Sequence, residues 1–381
     1  MDAAAFSSAV AQFSTKFCNE LDNTTNIVCS PLSAENLLAL LTLGSTDPAR
    51  TELLKALGFP DNDDHKSIRS TFGALNGKLK AIKGVTLLVA NKIYIKDGGY
   101  EVEPELKKDA EDIFDTEFEK INFKDSASAA QLINQWVEHK TKNQIKDLFS
   151  SSSFSAFTRL VLVNALYFKG VWKNQFNPKD TIKQVFHLDD KKTVKIPMMF
   201  KEQKFNYYAS PDLQAQLLEV SYAGEETSMV FILPDDIVGL NAVMQNLADG
   251  HDLMSEIKKM TPTKVKATLP KFKVETEIDL TKLLPQLGIK AIFNKDDSGL
   301  SELLSPAQEV YVTEAIQKVY IEVNETGGEG GDGSGIDIRS ISFMADAETR
   351  ESAYFRADHP FLYLLMGPDN TILFIGAYRG N

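Results

Sequence analysis

Gly328-Glu-Gly-Gly-Asp-Gly333 has the G-x-G-x-x-G spacing that lets a backbone close around a pyrophosphate, and it follows a strand-like run carrying Val319, Ile321 and Val323. The rest of that chemistry is missing. A phosphate site needs a helix N-terminus, whereas Ile336-Asp-Ile-Arg339 reads as strand or coil, and Glu329 and Asp332 would repel the anion. The five histidines, His65, His139, His187, His251 and His359, show no metal-ligand spacing, and neither H-E-x-x-H nor a G-x-S-x-G nucleophile elbow occurs. Asp61-Asn-Asp-Asp64 lacks the glycine and terminal glutamate of a calcium loop. No catalytic residue, cofactor or metal is therefore expected. What remains is a strand, Ile316 onward, feeding an exposed and deformable loop; loops carried on rigid scaffolds are where function usually sits.

The elements that must hold such a loop are legible from composition and periodicity. The 381 residues, 43% hydrophobic and 25% charged, suit a globular chain with a sizeable core. A net charge of −12 disfavours a general attraction to nucleic acid or anionic membrane, and no run of 18 apolar residues is present. Lys66, Arg69, Lys78, Lys80 and Lys83 form a local basic patch, read as a solvated face in preference to a polyanion site. Cys18 and Cys29 are too few for a disulfide scaffold and are expected as buried free thiols. Asn23-Thr-Thr25 and Asn324-Glu-Thr326 are glycosylation sequons. No signal peptide is seen at Met1; an extracellular compartment with the leader removed is favoured over the cytoplasm.

Phe6, Val10, Phe13, Phe17 and Leu21 predict an amphipathic first helix, and Ser33 is a candidate N-cap for a helix over Leu37–Leu43. Helical patterns also cover Thr51–Leu57, Lys66–Lys80 and Ala130–Leu148, the last with Leu132, Ile133, Trp136 and Val137 on one face. Arg159 to Phe168 is almost continuously apolar, as expected of a strand covered on both faces at the centre of a sheet. Strands are further predicted at Val85–Ile95, Leu217–Tyr222, Ser228–Leu233, Val265–Glu277, Tyr311–Val323, Phe361–Met366 and Thr371–Tyr378, with a helix at Leu280–Gly288. No Pro/Gly/Ser linker divides the helical first part from the β-rich second, so residues 1–381 are read as one α+β domain.

Several stretches in order then resemble the serpin family over essentially the whole chain: Asn26-Ile-Val-Cys-Ser-Pro-Leu-Ser33, Ala90-Asn-Lys-Ile-Tyr94, Ile133-Asn-Gln-Trp-Val137, Leu162-Val-Asn-Ala-Leu-Tyr-Phe-Lys-Gly-Val-Trp172, Leu269-Pro-Lys-Phe-Lys273, Glu322-Val-Asn-Glu325 and Ala357-Asp-His-Pro-Phe-Leu-Tyr363. The resemblance implies three β-sheets, eight or nine helices, and a reactive-centre loop over about 325–355. It also implies a monomeric protease inhibitor, not an enzyme, whose loop is cleaved and then inserts as a new strand of a central sheet, releasing strain stored in a metastable fold. Ser30, Ser33 and Asn164 match the family's polar cluster under the opening point of that sheet, Trp172 matches the tryptophan near its top, and Gln317 stands where the family usually has histidine.

Departures from the family pattern concentrate in the hinge, Glu325, Gly327, Gly328, Glu329, Gly330 and Asp332. The six glycines between 327 and 335 each weaken a strand by roughly 0.5–1 kcal/mol relative to alanine, and period-two alternation would turn Asp332 inward after insertion. Insertion is thus expected to be poorly driven, which keeps a non-inhibitory binding or carrier protein, cleaved as a substrate, as the alternative. The bait lies within Ile338-Arg-Ser-Ile-Ser342. Family spacing from Glu325 points to Ile341-Ser342, whereas side-chain chemistry favours Arg339-Ser340. Arg339 would suit a trypsin-like serine protease and Ile338 before it a papain-like cysteine protease.

Overall fold

The computed structural model describes residues 1–62, 65–224, 226–327 and 352–380. Helix α1 (Ala3–Asn19) buries Phe6, Val10, Phe13 and Phe17 as its spacing predicts, and Asp2 caps it by accepting from the Ala5 amide. Strand β1 (Ile27–Cys29) leads into α2 (Pro31–Leu43), which starts earlier than expected. Ser30, not Ser33, is its N-cap position, because Pro31 at the first helical position has no amide to lose. Ser33 therefore sits inside the first turn, buried, with its hydroxyl available to a neighbouring strand. Helices α3 (Ala49–Ala56) and α4 (Lys66–Ala81) follow as predicted.

Next come β2 (Val85–Lys96), β3 (Glu101–Val102), α5 (Pro104–Asp112), β4 (Glu117–Ile121), α6 (Ser126–Lys140) and β5 (Leu160–Gly170). The helix expected to reach Leu148 stops at Lys140: Lys142 and Asn143 take left-handed φ values of 51° and 62°, and the Thr141 hydroxyl bonds the Val137 carbonyl and accepts from the Ile145 amide. Its buried face is Ala129, Ala130, Ile133 and Val137, while Leu132, expected on that face, is 40% exposed.

The second half contains β6 (Ile182–His187), β7 (Thr193–Ser210), β8 (Ala215–Ser221), β9 (Ser228–Pro234), α7 (Leu240–Ala248), α8 (Leu253–Lys258), β10 (Thr261–Pro270), β11 (Phe272–Asp279), α9 (Leu280–Gln286), β12 (Leu304–Ser305), β13 (Val312–Val323), β14 (Ala353–Arg356), β15 (Phe361–Met366) and β16 (Ile372–Tyr378). The single strand expected over Val265–Glu277 is two strands in different sheets, divided at Lys271 where Pro270 offers no amide to carry the ladder on.

Among the described residues there are nine α-helices and three sheets: nine strands ordered β1-β16-β15-β9-β8-β7-β10-β14 with β6 on β7, five strands ordered β11-β13-β5-β2-β4, and the β3–β12 pair. β5 is covered on both faces, as its sequence demands. Val161, Val163 and Ala165 pack with Ile133 and Val137 of α6, while Leu160, Leu162, Leu166 and Phe168 join the main core with α2. Only Lys169 of the strand is not fully buried.

Candidate functional site: a seam and its hinge

At the centre of the five-stranded sheet β13 and β5 run parallel and are paired directly, from Val312 opposite Leu160 to Ile321 opposite Phe168. Their outer neighbours, β11 and β2, are antiparallel to them. A segment that turned back after Val323 and entered between β5 and β13 would run antiparallel to both, and so could form full ladders on each side.

One row of amides crosses this seam. Gln317 lies opposite Asn164, which lies opposite Asn91 on β2. The Gln317 Nε2 donates to Asn164 Oδ1 (2.5 Å), and Asn164 Nδ2 donates to Ser33 Oγ (2.6 Å) and to Asn91 Oδ1 (2.5 Å). Gln317 also closes a two-way contact with Ser30, accepting from its amide and donating to its carbonyl, both at 2.9 Å. The Ser30 hydroxyl donates to the Leu373 carbonyl (2.6 Å) in the neighbouring nine-stranded sheet. All five residues are buried, with Gln317 and Asn164 at 0% exposure, so every bond here stands in for water that cannot enter.

The hinge is pinned where β5 leaves the sheet. Trp172 stacks on Tyr222, with ring centres 4.2 Å apart and planes 12° apart, and its indole nitrogen donates to the Asn324 carbonyl (2.8 Å). The Trp172 amide donates to Thr326 and the Phe176 amide to Glu325, so the backbone beyond β13 is laced to the segment beyond β5. Asn324 Oδ1 accepts from the amides of Thr326 and Gly327, closing a local turn. Gly327 takes φ +114°, and a Cβ there would lie 2.7 Å from both the Gly170 carbonyl oxygen and the Trp172 nitrogen. Only glycine fits so close an approach.

Glu325 holds this turn in place through Lys271 (2.8 Å) and the Thr181 hydroxyl (2.8 Å). Burial pushes its carboxyl upward, but the bonds from Lys271, its own backbone amide and Thr181 outweigh that and leave it below the usual carboxylate range. Glu322, beside it, pairs with Lys273 (3.1 Å) and accepts from the Tyr320 hydroxyl and Asn324. The arrangement has no nucleophile or base poised for catalysis. It is a strand pair held shut by side-chain amides and a loop root held down by one carboxylate.

A family model described as Serpin (serine protease inhibitor) matches residues 8–380. The chain belongs to the serpin family. This serpin is 39% identical to antichymotrypsin-2 of Bombyx mori over 354 residues, covering 93% of this chain and 92% of the relative. It is 38% identical to antitrypsin of the same species, covering 93% and 88%. Its fold is similar to that of Serpin48 of Tenebrio molitor, with a TM-score of 0.86 and 30% identity over 100% of this chain and 99% of the other.

Of the residues singled out from the sequence, Ser30, Ser33, Asn164 and Gln317 come together in the seam, and Trp172 with Glu325 and Gly327 at the hinge. Gly328, Glu329, Gly330, Asp332 and the bait Ile338 to Ser342 lie outside the described residues. The sequence reasoning missed Asn91, Lys271 and Thr181. Asn91 had a signal, since it sits in the quoted Ala90–Tyr94 stretch in a strand otherwise apolar; Lys271 and Thr181 had none, because only folding brings them to Glu325.

The serpin's basic patch is largely consumed by ion pairs: Arg69 with Glu105 and Asp109, Lys80 with Asp115, and Lys78 with Asp369. Asn23 is exposed, whereas Asn324 is half-buried and donates its amide to Glu322. Cys18 and Cys29 are free and buried, and burial, with Cys18 beside it, pushes the Cys29 thiol up. No helix among the described residues is long and apolar enough to cross a membrane.

Proposed function

We propose that this serpin, as a monomer folded as one domain over 1–381, is an inhibitor that traps a protease through its loop. The bait is within Ile338–Ser342, and the target is a trypsin-like serine protease or a papain-like cysteine protease. The protease's hydroxyl or thiol adds to the scissile carbonyl, the peptide amine leaves with the proton, and an ester or thioester joins loop to enzyme. Insertion of the freed loop between β5 and β13 then carries the attached enzyme along before water can hydrolyse the link.

The observation that supports this reading is the directly paired parallel seam between β5 and β13, bridged by Gln317–Asn164 and flanked by a pinned hinge. Two relatives named for antichymotrypsin and antitrypsin activity support it further. The glycine-rich sequence after Glu325 supports the second reading, a non-inhibitory binding protein cleaved as a substrate. Exposure favours an extracellular protein bearing its glycan on Asn23 ahead of Asn324.

Incubation with trypsin, an elastase and papain, followed by denaturing gel electrophoresis, separates the two. A band at the summed mass with at least one of them is expected, together with loss of that enzyme's activity. Cleaved fragments alone, with full residual activity of all three, would sink the inhibitory reading. N-terminal sequencing of the released C-terminal peptide distinguishes Arg339-Ser340 from Ile341-Ser342.

A further inference from the structure

Arg379 follows β16 and is only 9% exposed, yet its side-chain partners among the described residues are both neutral. Its Nη2 donates to Asn241 Oδ1 (3.1 Å) and lies 3.7 Å from the Met244 sulfur, while its Nε is buried with no hydrogen-bond partner. Two carboxylates are near enough to matter, and both are engaged elsewhere. Asp22 accepts from the hydroxyls of Thr24 and Thr25 and from the Thr24 amide. Asp189 accepts from the amides of Lys191 and Lys192. A buried guanidinium left without a contact anion is expensive, and a carboxylate that bonded it would recover both the charge pairing and the orphaned donor.

Arg379 lines a cavity of about 420 Å³ where the α1–β1, β6–β7 and β9–α7 connections meet. Leu188, Val238, Leu240 and Pro360 give it an apolar wall, and Lys192 adds a second cation. Val238 is 57% exposed, an unusual position for a large aliphatic side chain unless something covers it. An apolar hollow with a few convergent polar groups is the usual form of a small-molecule site, and this volume falls in the usual range.

We infer that this cavity binds a small carboxylic acid with an aliphatic tail, its carboxylate on Arg379 and Lys192 and its tail against Leu188, Val238, Leu240 and Pro360. The site is separate from the seam and hinge, and its occupancy does not depend on whether the loop traps a protease.

Isothermal titration with decanoate, kept below its micellar concentration, tests this on the full chain, with decanol as the uncharged control. Saturable one-site binding of decanoate is expected, with decanol at least tenfold weaker. Arg379→Gln should weaken decanoate binding at least tenfold and Lys192→Ala severalfold. Val238→Trp, at an exposed position, should fill the cavity and abolish binding with the melting temperature unchanged, which keeps the test valid if Arg379→Gln fails to fold. No saturable binding to the wild type, equal binding of decanol, or binding unaltered by Val238→Trp would each overturn the inference.

Discussion

Gln317 uses both ends of its amide: the oxygen takes the Ser30 amide, and the nitrogen serves the Ser30 carbonyl and Asn164. An imidazole at this position would titrate near neutrality, whereas an amide does not, so the lock across β5 and β13 keeps the same strength through physiological pH. Gln317→Leu fills similar space but leaves the Ser30 amide, the Ser30 carbonyl and Asn164 without that partner in a dry core. Each orphaned group costs about 1–3 kcal/mol. A clear fall in melting temperature is expected, with more polymer on a native gel after mild heating, since the seam has lost its cross-link. Unchanged melting and no added polymer would show that the amide row does not hold the seam. Gln317→His should leave stability near that of the wild type at high pH and make it fall as pH drops through about 6–7, measured as melting temperature against pH.

At the scale of elements, the hinge is a contest between two backbone arrangements of one segment. In the resting arrangement Gly327 packs against the end of β5, the Trp172 amide holds Thr326, and Glu325 is tied to Lys271 and Thr181. Because the Glu325 carboxyl lies below its ordinary value in the fold, its anchoring is fully present above about pH 4.3 and is lost as pH falls through the lowered value. Trp172 reports on this directly, as its indole donates to Asn324 one residue earlier. In a Trp136→Phe background, tryptophan emission should change on acidification in the wild type, and Glu325→Gln should show the released signal already at pH 7. If the acid transition persists unaltered in Glu325→Gln, Glu325 is not the anchor. α6 and the turn after it form a second restraint on the seam, since Ile133 and Val137 pack on β5 and Lys318 of β13 donates to the Lys146 carbonyl. A strand entering between β5 and β13 must loosen that layer as well.

For the whole molecule, the proposed mechanism makes cleavage a release of stored strain, so the loop-cleaved protein should melt well above the intact one; no rise would show that the loop never becomes a strand. Asp332→Ala removes a carboxylate that the period-two pattern turns inward on insertion, and burying an unpaired carboxylate costs several kcal/mol. The ratio of trapped to cleaved product should rise severalfold on a denaturing gel, and an unchanged ratio would refute the inward assignment. Much of the architecture was readable beforehand because it rests on local periodicity: the Phe6–Phe17 spacing gives α1, and the unbroken apolar run to Phe168 places β5 between two covering layers. The errors fell where local signals compete. Ser33 reads as a cap until Pro31 claims the helix start, and the pattern through Leu148 reads as helix until Lys142 and Asn143 turn left-handed. The sequence by itself determined the family, the order of elements and the polar residues Ser30, Ser33, Asn164 and Gln317, since these are written in residue types and spacing. Tertiary structure alone decided that Asn91 completes their row, that Lys271 and Thr181 hold Glu325, and that Arg379 is buried without a counter-ion. Each of those contacts joins strands or loops far apart in the chain, and periodicity carries no information about which distant groups meet.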